Sequence, residues 1–420
     1  MKLNARIIRA FIALILVICT MFSLTSCLID LEALGEIILG DIPELDGEFD
    51  NQDPGNDSGN GGATPILPDV PTGEFYPGSG EVEDAEIPAL QKTLLSTVIV
   101  IADFTLSPSA GSGVIYKLDK STGDAYIITN YHVIYNETYG VSKDISIYLY
   151  GMELSGYKVA ATFVGGSINY DIAVLKVNGS EVLKNSYARE AVFGNSDNVR
   201  VFDTVYAVGN PEGIGLSANR GIVSVESEHL DIEGADGSAI SLRVMRIDAA
   251  VNAGNSGGGL YDTEGRLVGI VSAKLVGANV DNVGYAIPST LVKNLTDNII
   301  YHCNGSSMTK LNRALMGITI SAYVTGVVVD PETGFVSRAE LVEVVDVSSG
   351  SLADGKVKIG DIVTAITVDG VTVNVTRMHH VTDHMITARV GSSVTLAIKR
   401  GEENITVNFT ITADRITLEK

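Results

Sequence analysis

Between Val98 and Ile287 the chain is a succession of short apolar and β-branched runs separated by turn-forming residues. The runs are Val98–Phe104, Gly113–Leu118, Ala125–Thr129, Ile145–Tyr150, Tyr157–Val164, Ile172–Val177, Thr204–Val208, Ile222–Val225, Ile240–Ile247, Gly259–Tyr261, Leu267–Ala273 and Val283–Ile287. None is long enough to bury the face of a stable helix, and each has the length of a strand. A dozen strands in sequence predict an all-β barrel or sandwich. Pro108 and Pro211 fall between runs, where a missing N–H does no harm. After Pro288 the period changes: Leu291, Val292, Leu295, Ile299 and Ile300 fall on one face of a helix over Ser289–His302. Ser289 is the expected N-cap. A polar linker, Asn304 to Lys310, then leads to mixed β and α signals over 311–415, a second and smaller domain.

The termini of this pattern differ sharply from its body. Lys2, Arg6 and Arg9 precede an apolar run, Ala10 to Phe22, which is the pattern of a secretory signal. Leu24-Thr25-Ser26-Cys27 resembles a bacterial lipobox, in which the cysteine is lipidated and becomes the mature N-terminus. The alternative is an uncleaved anchor, although the run is short of the roughly 20 apolar residues a spanning helix needs. Residues 1–27 are therefore expected to be a lipoprotein signal, with Cys27 as the lipidation site. Residues 28–90 hold sixteen Asp or Glu and no Lys or Arg, and seven of the eleven prolines lie between Pro43 and Pro88. Such a stretch has too little apolar surface to offset its ordering entropy, so 28–92 is expected to be a disordered acidic tether. The chain's net charge of −22 argues against a nucleic-acid partner, whose phosphates it would repel. With Cys19 and Cys27 in the export segment, Cys303 is left without a partner in the body.

Three residues in the β-rich body carry chemistry. Ser256 sits in Ile247-Asp-Ala-Ala-Val-Asn-Ala-Gly-Asn-Ser-Gly-Gly-Gly-Leu260, with glycine at 254, 257, 258 and 259. A backbone this permissive can present a hydroxyl together with main-chain N–H groups, as an acyl-transfer nucleophile requires. It can equally be a glycine-rich turn between two strands. His132 ends the apolar run that begins at Ala125, where a histidine is commonly structural. Asp171 opens Asp-Ile-Ala-Val-Leu-Lys176 and can be either a strand-start cap or the acid that orients an imidazole. Their order, His then Asp then Ser, is that of the chymotrypsin triad.

The surrounding motifs make the likeness specific. Gly111-Ser-Gly-Val-Ile115, Thr129-Asn-Tyr-His-Val133, Asp171-Ile-Ala-Val-Leu175, Val208-Gly-Asn-Pro211, Gly221-Ile-Val-Ser224, Asp248-Ala-Ala-Val-Asn252, Gly254-Asn-Ser-Gly-Gly258 and Gly284-Tyr-Ala-Ile-Pro288 occur in this order. Over about residues 95–415 the chain resembles the HtrA/Deg family of trypsin-like serine proteases. The resemblance implies an all-β protease domain over 93–303, made of two packed antiparallel β-barrels of chymotrypsin-like form, with a C-terminal linker helix. It implies His132 as general base, Asp171 as orienting acid, Ser256 as nucleophile, and the N–H groups of Gly254 and Ser256 as the oxyanion hole. Gly259 departs from the family, which usually has Pro or Ala there; it is expected to add flexibility after the nucleophile. Ala250 stands six residues before Ser256, where trypsin-type enzymes place the aspartate that selects Lys or Arg. With Ile270 and Ser272 from the run Gly269–Ala273 as further wall residues, the pocket is expected to accept small or medium aliphatic side chains.

Residues 311–415 resemble a single α+β PDZ domain. Leu315-Met316-Gly317-Ile318 is similar to the loop that receives a peptide carboxylate, and Thr376–Arg389 is the expected helix beside the groove. Thr325–Arg338 is longer and more polar than the family pattern. His379, His380 and His384 share this helix, and histidines at helical spacing can hold a metal. Only Asp383 stands near them in sequence, and on another face, so no metal or other cofactor is expected. The resemblance further implies unfolded polypeptides and protein C-termini as partners, a bacterial cell envelope as location with attachment through the N-terminal lipid, and a homotrimer, the common state of relatives. The competing reading is a catalytically idle PDZ adaptor or chaperone on a protease fold.

Overall fold

The computed structural model describes residues 87–105, 108–153, 155–273, 283–306, 309–329 and 331–419. The export signal, Cys27 and the acidic stretch up to residue 86 lie outside them, as does the segment 274–282. No helix among the described residues is long and apolar enough to cross a membrane.

A short helix, α1 (Ala89–Ser96), already begins inside the stretch read as tether and leads into the first barrel. That barrel closes six strands: β1 (Thr97–Asp103), β2 (Ser109–Asp119), β3 (Asp124–Thr129), β6 (Asp144–Leu149), β7 (Val159–Ser167) and β8 (Ile172–Val177). A one-turn helix α2 (Tyr131–Ile134) and a small ribbon, β4 (Tyr135–Asn136) with β5 (Gly140–Val141), fill the gap between β3 and β6. The order β1-β2-β3-β8-β7-β6 is closed by β1 pairing with β6, Val98 opposite Leu149. The second barrel closes β9 (Thr204–Gly209), β10 (Ser217–Glu233), β11 (Ala239–Ile247), β12 (Gly259–Tyr261), β13 (Leu267–Val271) and β14 (Gly284–Pro288) in the order β10-β11-β14-β13-β12-β9. All pairings within both barrels are antiparallel.

The two-sided burial of the central strands explains their composition. Ile115, Ile127 and Leu175 point into the first barrel. Their neighbours Val114, Ile128 and Val174 face a second cluster that also contains Val208, Val244 and Ile287 of the second barrel. A strand wetted on one face would alternate apolar with polar residues, whereas Ile172–Leu175 is buried throughout. Each such side chain contributes about 1.5–3 kcal/mol by leaving water. Helix α3 (Ser289–Cys303) seals the same cluster with Leu291, Val292, Leu295, Ile299 and Cys303. Its N-cap position is Pro288, without a side-chain cap; Ser289, expected to cap, instead donates its hydroxyl to the Gly194 carbonyl at 2.9 Å. Cys303 is free and buried, and burial pushes its thiol up to about 11.

The C-terminal domain pairs β15 (Asn312–Ala314) with β22 (Ile416–Leu418), so its last strand lies beyond the boundary at 415. Its main sheet contains β16 (Ile318–Val329), β17 (Val336–Val347), β18 (Ile362–Val368), β19 (Val371–Asn374), β20 (Ser393–Arg400) and β21 (Glu403–Thr410). One helix, α4 (Met378–Met385), packs on this sheet through Val381 and Met385. It is shorter than the Thr376–Arg389 expected, because Arg377 is extended and the Thr376 N–H is taken by the His380 ring at 3.2 Å. The long 325–338 segment is the outer half of the β16–β17 hairpin, and it is more apolar at the surface than expected: Val327, Phe335 and Val336 are all more than half exposed.

Candidate active site

His132 and Asp171 are paired on the first barrel, and the loop carrying Ser256 is bonded to the same barrel through Ser112. Asp171 occupies the turn before β8 with a left-handed backbone, φ 50°, a conformation that aspartate tolerates better than branched residues do. Its carbonyl accepts the Tyr131 N–H at 3.2 Å and the Asn130 side-chain amide at 2.9 Å, which fastens the turn to α2. Its carboxylate is aimed at His132. The imidazole Nδ1 lies 2.8 Å from Oδ2 and 3.0 Å from Oδ1, and the His132 main-chain N–H donates to Oδ1 at 3.1 Å. An ionised carboxylate only accepts, so Nδ1 carries the proton and Nε2 holds the lone pair.

A further hydroxyl completes this acid. Ser272 is fully buried and donates to Asp171 Oδ2 at 3.2 Å. It was expected on a pocket wall; the pleat turns it toward the carboxylate instead. Ile270 was expected beside it and is fully buried in the barrel core with Val208 and Ile287. Ala250 is exposed at the start of the loop that leads to Ser256.

The loop carrying Ser256 is held from the opposite barrel. Ser112 on β2 donates its N–H to the Ser256 carbonyl and its hydroxyl to the Gly254 carbonyl, both at 2.8 Å. The same hydroxyl accepts the Asn210 N–H at 2.8 Å. Gly254 and Gly257 have φ of 93° and 85°. A Cβ at Gly257 would lie 2.1 Å from the Ser112 carbonyl oxygen, and one at Gly254 2.2 Å from that of Asn210. Both positions therefore require glycine sterically as well as conformationally. Among the described residues, the main-chain N–H groups of Gly254 and Ser256 donate to no protein acceptor. The Ser256 hydroxyl accepts the Ala273 N–H at 3.1 Å and forms no hydrogen bond with His132.

Gly259 has a packing role rather than the flexibility expected of it. A Cβ there would stand 2.3 Å from the Tyr261 ring. Tyr261 is fully buried beneath it, with its hydroxyl 3.0 Å from Thr97 Oγ1 and 3.2 Å from Ser96 Oγ. The residue pair thus ties the strand after Ser256 to the start of β1. Sequence reasoning missed the roles of Ser112 and Tyr261 and gave Ser272 a different one. The available signal was a small polar residue inside an otherwise apolar strand run, as in Gly111-Ser-Gly-Val and Ile270-Val-Ser-Ala.

Leu315, Met316, Gly317 and Ile318 form a bend between β15 and β16, at one end of a groove of about 270 Å³ bounded by β16 and α4. Ile318, Ile320, Val381 and Met385 give it apolar walls, and Arg313 stands at its edge. Gly317 has φ 85°, and its carbonyl accepts the Ser348 N–H at 2.9 Å. The N–H groups of Met316 and Gly317 donate to no protein acceptor among the described residues.

Residues 111–270 match the family described as trypsin-like peptidase domain. The chain is 36% identical over 217 residues to the serine protease Do-like HtrA of Lactococcus lactis subsp. cremoris (strain MG1363), covering 50% of this chain and 48% of that protein. It is 30% identical over 312 residues to the serine protease Do-like HtrA of Lactobacillus helveticus, covering 71% of this chain and 67% of that protein. The chain thus spans about half the length of the first of these relatives and two thirds of the second. The solved structure titled "HtrA-type protease AlgW with tripeptide" shares the fold, with a TM-score of 0.50 and 24% identity over 79% of this chain and 96% of that one. The chain belongs to the Do-like HtrA family of trypsin-like serine proteases.

Proposed function

We propose that the protein is an extracytoplasmic serine endopeptidase that hydrolyses unfolded polypeptides. The observation that carries this reading is the pairing of His132 Nδ1 with a buried Asp171 carboxylate, 2.8 Å apart, together with a Ser256 loop in which the Gly254 and Ser256 N–H groups have no acceptor among the described residues. Ser256 attacks the scissile carbonyl while His132 Nε2 takes its proton. Asp171 holds the ring in the productive tautomer and stabilises the imidazolium. The Gly254 and Ser256 N–H groups receive the developing oxyanion, and water then releases the acyl group by the same steps. The hydroxyl must first leave the Ala273 N–H and rotate toward His132, so the geometry is a resting one. Ala250, in place of an acidic residue, favours substrates with small or medium aliphatic side chains before the cut.

The C-terminal domain is proposed to be a PDZ module. The apolar groove and the free N–H groups of Met316 and Gly317 suit a peptide carboxylate, with the peptide pairing along β16. The AlgW structure, by its title, holds a tripeptide, in keeping with peptide capture by this fold. The N-terminal pattern supports export and lipid attachment at Cys27. If so, Cys27→Ser moves the protein from the membrane fraction to the soluble one; retention in the membrane would mean an uncleaved anchor.

A second reading, an idle peptide-binding adaptor, is favoured by the absence of a His132–Ser256 hydrogen bond. Digestion of unfolded casein, and of fluorogenic peptides varied at the residue before the cut, separates the two. Ser256→Ala is expected to lower kcat by about 10⁴-fold or more. Equal near-zero rates in the wild type and the variant, with peptide binding retained, would establish the adaptor. Preferred cleavage after Lys or Arg would refute the specificity reading alone.

A further inference from the structure

Asp383, four residues after His379 on the same helix, is committed to Arg243, and the carboxylate nearest the His379 ring comes from the other domain. Helix α4 is fastened across the seam between the domains. Asn294 and Asn298 of α3 donate side-chain amides to the carbonyls of Asp383 and Ile386, at 3.0 and 2.8 Å. Arg377 bridges Glu226 on β10 and Glu340 on β17, at 2.7 and 3.0 Å. Within this seam lies Asp197, from the turn preceding β9. One donor atom each from Asp197, His379 and His380 lie within 4.8 Å of one another. His379 Nε2 is 3.9 Å from Asp197 Oδ1, too far for a hydrogen bond. The three side chains face two cavities, of about 310 and 490 Å³.

We propose that Asp197, His379 and His380 bind a divalent transition-metal ion of the zinc class, which clamps the C-terminal domain to the second barrel. Tetrahedral zinc with bonds of about 2.0–2.2 Å sets its ligand atoms about 3.4 Å apart. The 3.9 Å pair must then close by about half an ångström and the widest separation, 4.8 Å, by about 1.4 Å, within the reach of side-chain rotation. Two imidazoles and one carboxylate are a donor set that suits zinc and its neighbours, with a fourth position open to water.

The surroundings fit this use. His379 and His380 sit edge to face, with ring centroids 4.6 Å apart. Of the guanidinium groups lining the first cavity, Arg243 is paired with Asp383 and Arg377 with Glu226 and Glu340, while Arg200 and Arg338 also line it. The Asp197 carboxylate is oriented by the Thr290 hydroxyl at 3.1 Å, and the His380 ring by the backbone of Asn374 and Thr376. Such outer contacts are how proteins aim metal ligands. Ligation through His380 Nδ1 displaces only the long 3.2 Å bond from Thr376. The assignment stands independently of the catalytic reading.

The test uses the full chain without an affinity tag, in a His132→Ala background that removes the catalytic imidazole as a competing ligand. Titration calorimetry with Zn²⁺ at neutral pH is expected to find one equivalent bound. Asp197→Asn, His379→Gln and His380→Gln should each weaken binding at least about tenfold, and His302→Gln should leave it unchanged. Co²⁺ added to the parent chain should give the visible absorption of a four-coordinate site, erased by Zn²⁺; this readout needs no folded variant. Zn²⁺ should also protect the 304–310 linker from added protease, and His379→Gln should abolish that protection. No four-coordinate Co²⁺ signal, or Zn²⁺ binding indifferent to the three substitutions, overturns the site. Binding without linker protection overturns the clamp.

Discussion

The loop around Ser256 and the bend at Leu315–Ile318 solve a similar problem with different rigidity. Each has a glycine at φ 85°, Gly257 or Gly317, beside main-chain N–H groups that have no protein acceptor among the described residues. The first is braced from the opposite barrel by Ser112, and its Ser256 is only 5% exposed. The second is braced by near neighbours, with Ser348 and Ser351 on the Gly317 carbonyl and the Ala353 N–H on that of Met316, while Leu315 stays 44% exposed. The difference follows from the chemistry proposed for each. An oxyanion must be met within tenths of an ångström, since a displacement of about 1 Å can cost about 100-fold in rate. Capture of a peptide end tolerates adjustment, because the strand edge and the apolar walls share the binding.

Breaking each glycine should expose that contrast. At Gly257, alanine would place its Cβ 2.1 Å from the Ser112 carbonyl oxygen and 2.4 Å from Thr129 Oγ1, in a backbone region that alanine avoids. The loop can relieve this only by moving the Ser256 carbonyl or its N–H. We expect Gly257→Ala to lower kcat/KM by about 100-fold or more, with peptide binding by the C-terminal domain unchanged. A loss below about threefold would mean that the loop is not rigidly preorganised. At Gly317, the added Cβ would meet the Ser351 side chain at 2.1 Å. Here the neighbour is a small side chain on an open bend. Gly317→Ala is expected to weaken binding of a peptide C-terminus by about tenfold, read by fluorescence anisotropy. Hydrolysis of a short fluorogenic substrate should not change; if it falls in parallel, the two regions are coupled and the contrast fails.

The legibility of these regions differed for physical reasons. The β-rich runs were readable because strands buried on both faces, such as Ile172–Leu175, must be continuously apolar. His132, Asp171 and Ser256 could be singled out because each sits in a local motif fixed by turn geometry. What could not be read were partnerships between distant positions. Ser272 was assigned to a pocket, yet it bonds Asp171, 101 residues away. The need for glycine at 259 becomes clear only once the Tyr261 ring is seen to occupy its side-chain space. Asp197 meets His379 across the seam between domains, so a search for neighbours in sequence could not find it. Ser289 misled because propensity favours serine as a cap, while the Gly194 carbonyl competed for its hydroxyl.

The smallest expected effect concerns the way the two regions are joined. Glu419, beyond β22, is 8% exposed and accepts the Ser167 hydroxyl at 2.8 Å. The same hydroxyl accepts the Tyr170 N–H at 3.1 Å, one residue before Asp171. A residue at the end of the C-terminal domain therefore touches the turn that presents the orienting acid. Burial raises the Glu419 carboxyl above its ordinary value, against the lowering effects of Ser167, Asn169, Arg313 and Lys310. A raised acid favours the protonated folded form. Its stabilising contribution is complete below the unfolded value of about 4.5 and is lost as pH climbs through the folded one. At pH 7.5 the ionised carboxylate is thus a strain that glutamine, with the same shape and an acceptor for Ser167, removes. Glu419→Gln is expected to raise Tm by about 2 °C at pH 7.5, the scale of a change below 1 kcal/mol in a chain this long. The gain should disappear near pH 4.5, where the native carboxyl is itself neutral. A pH-independent gain would assign the effect to packing instead of charge. A change in kcat beyond about twofold would show that the seam reaches the orienting acid, and that the two loops are less independent than their separate bracing implies.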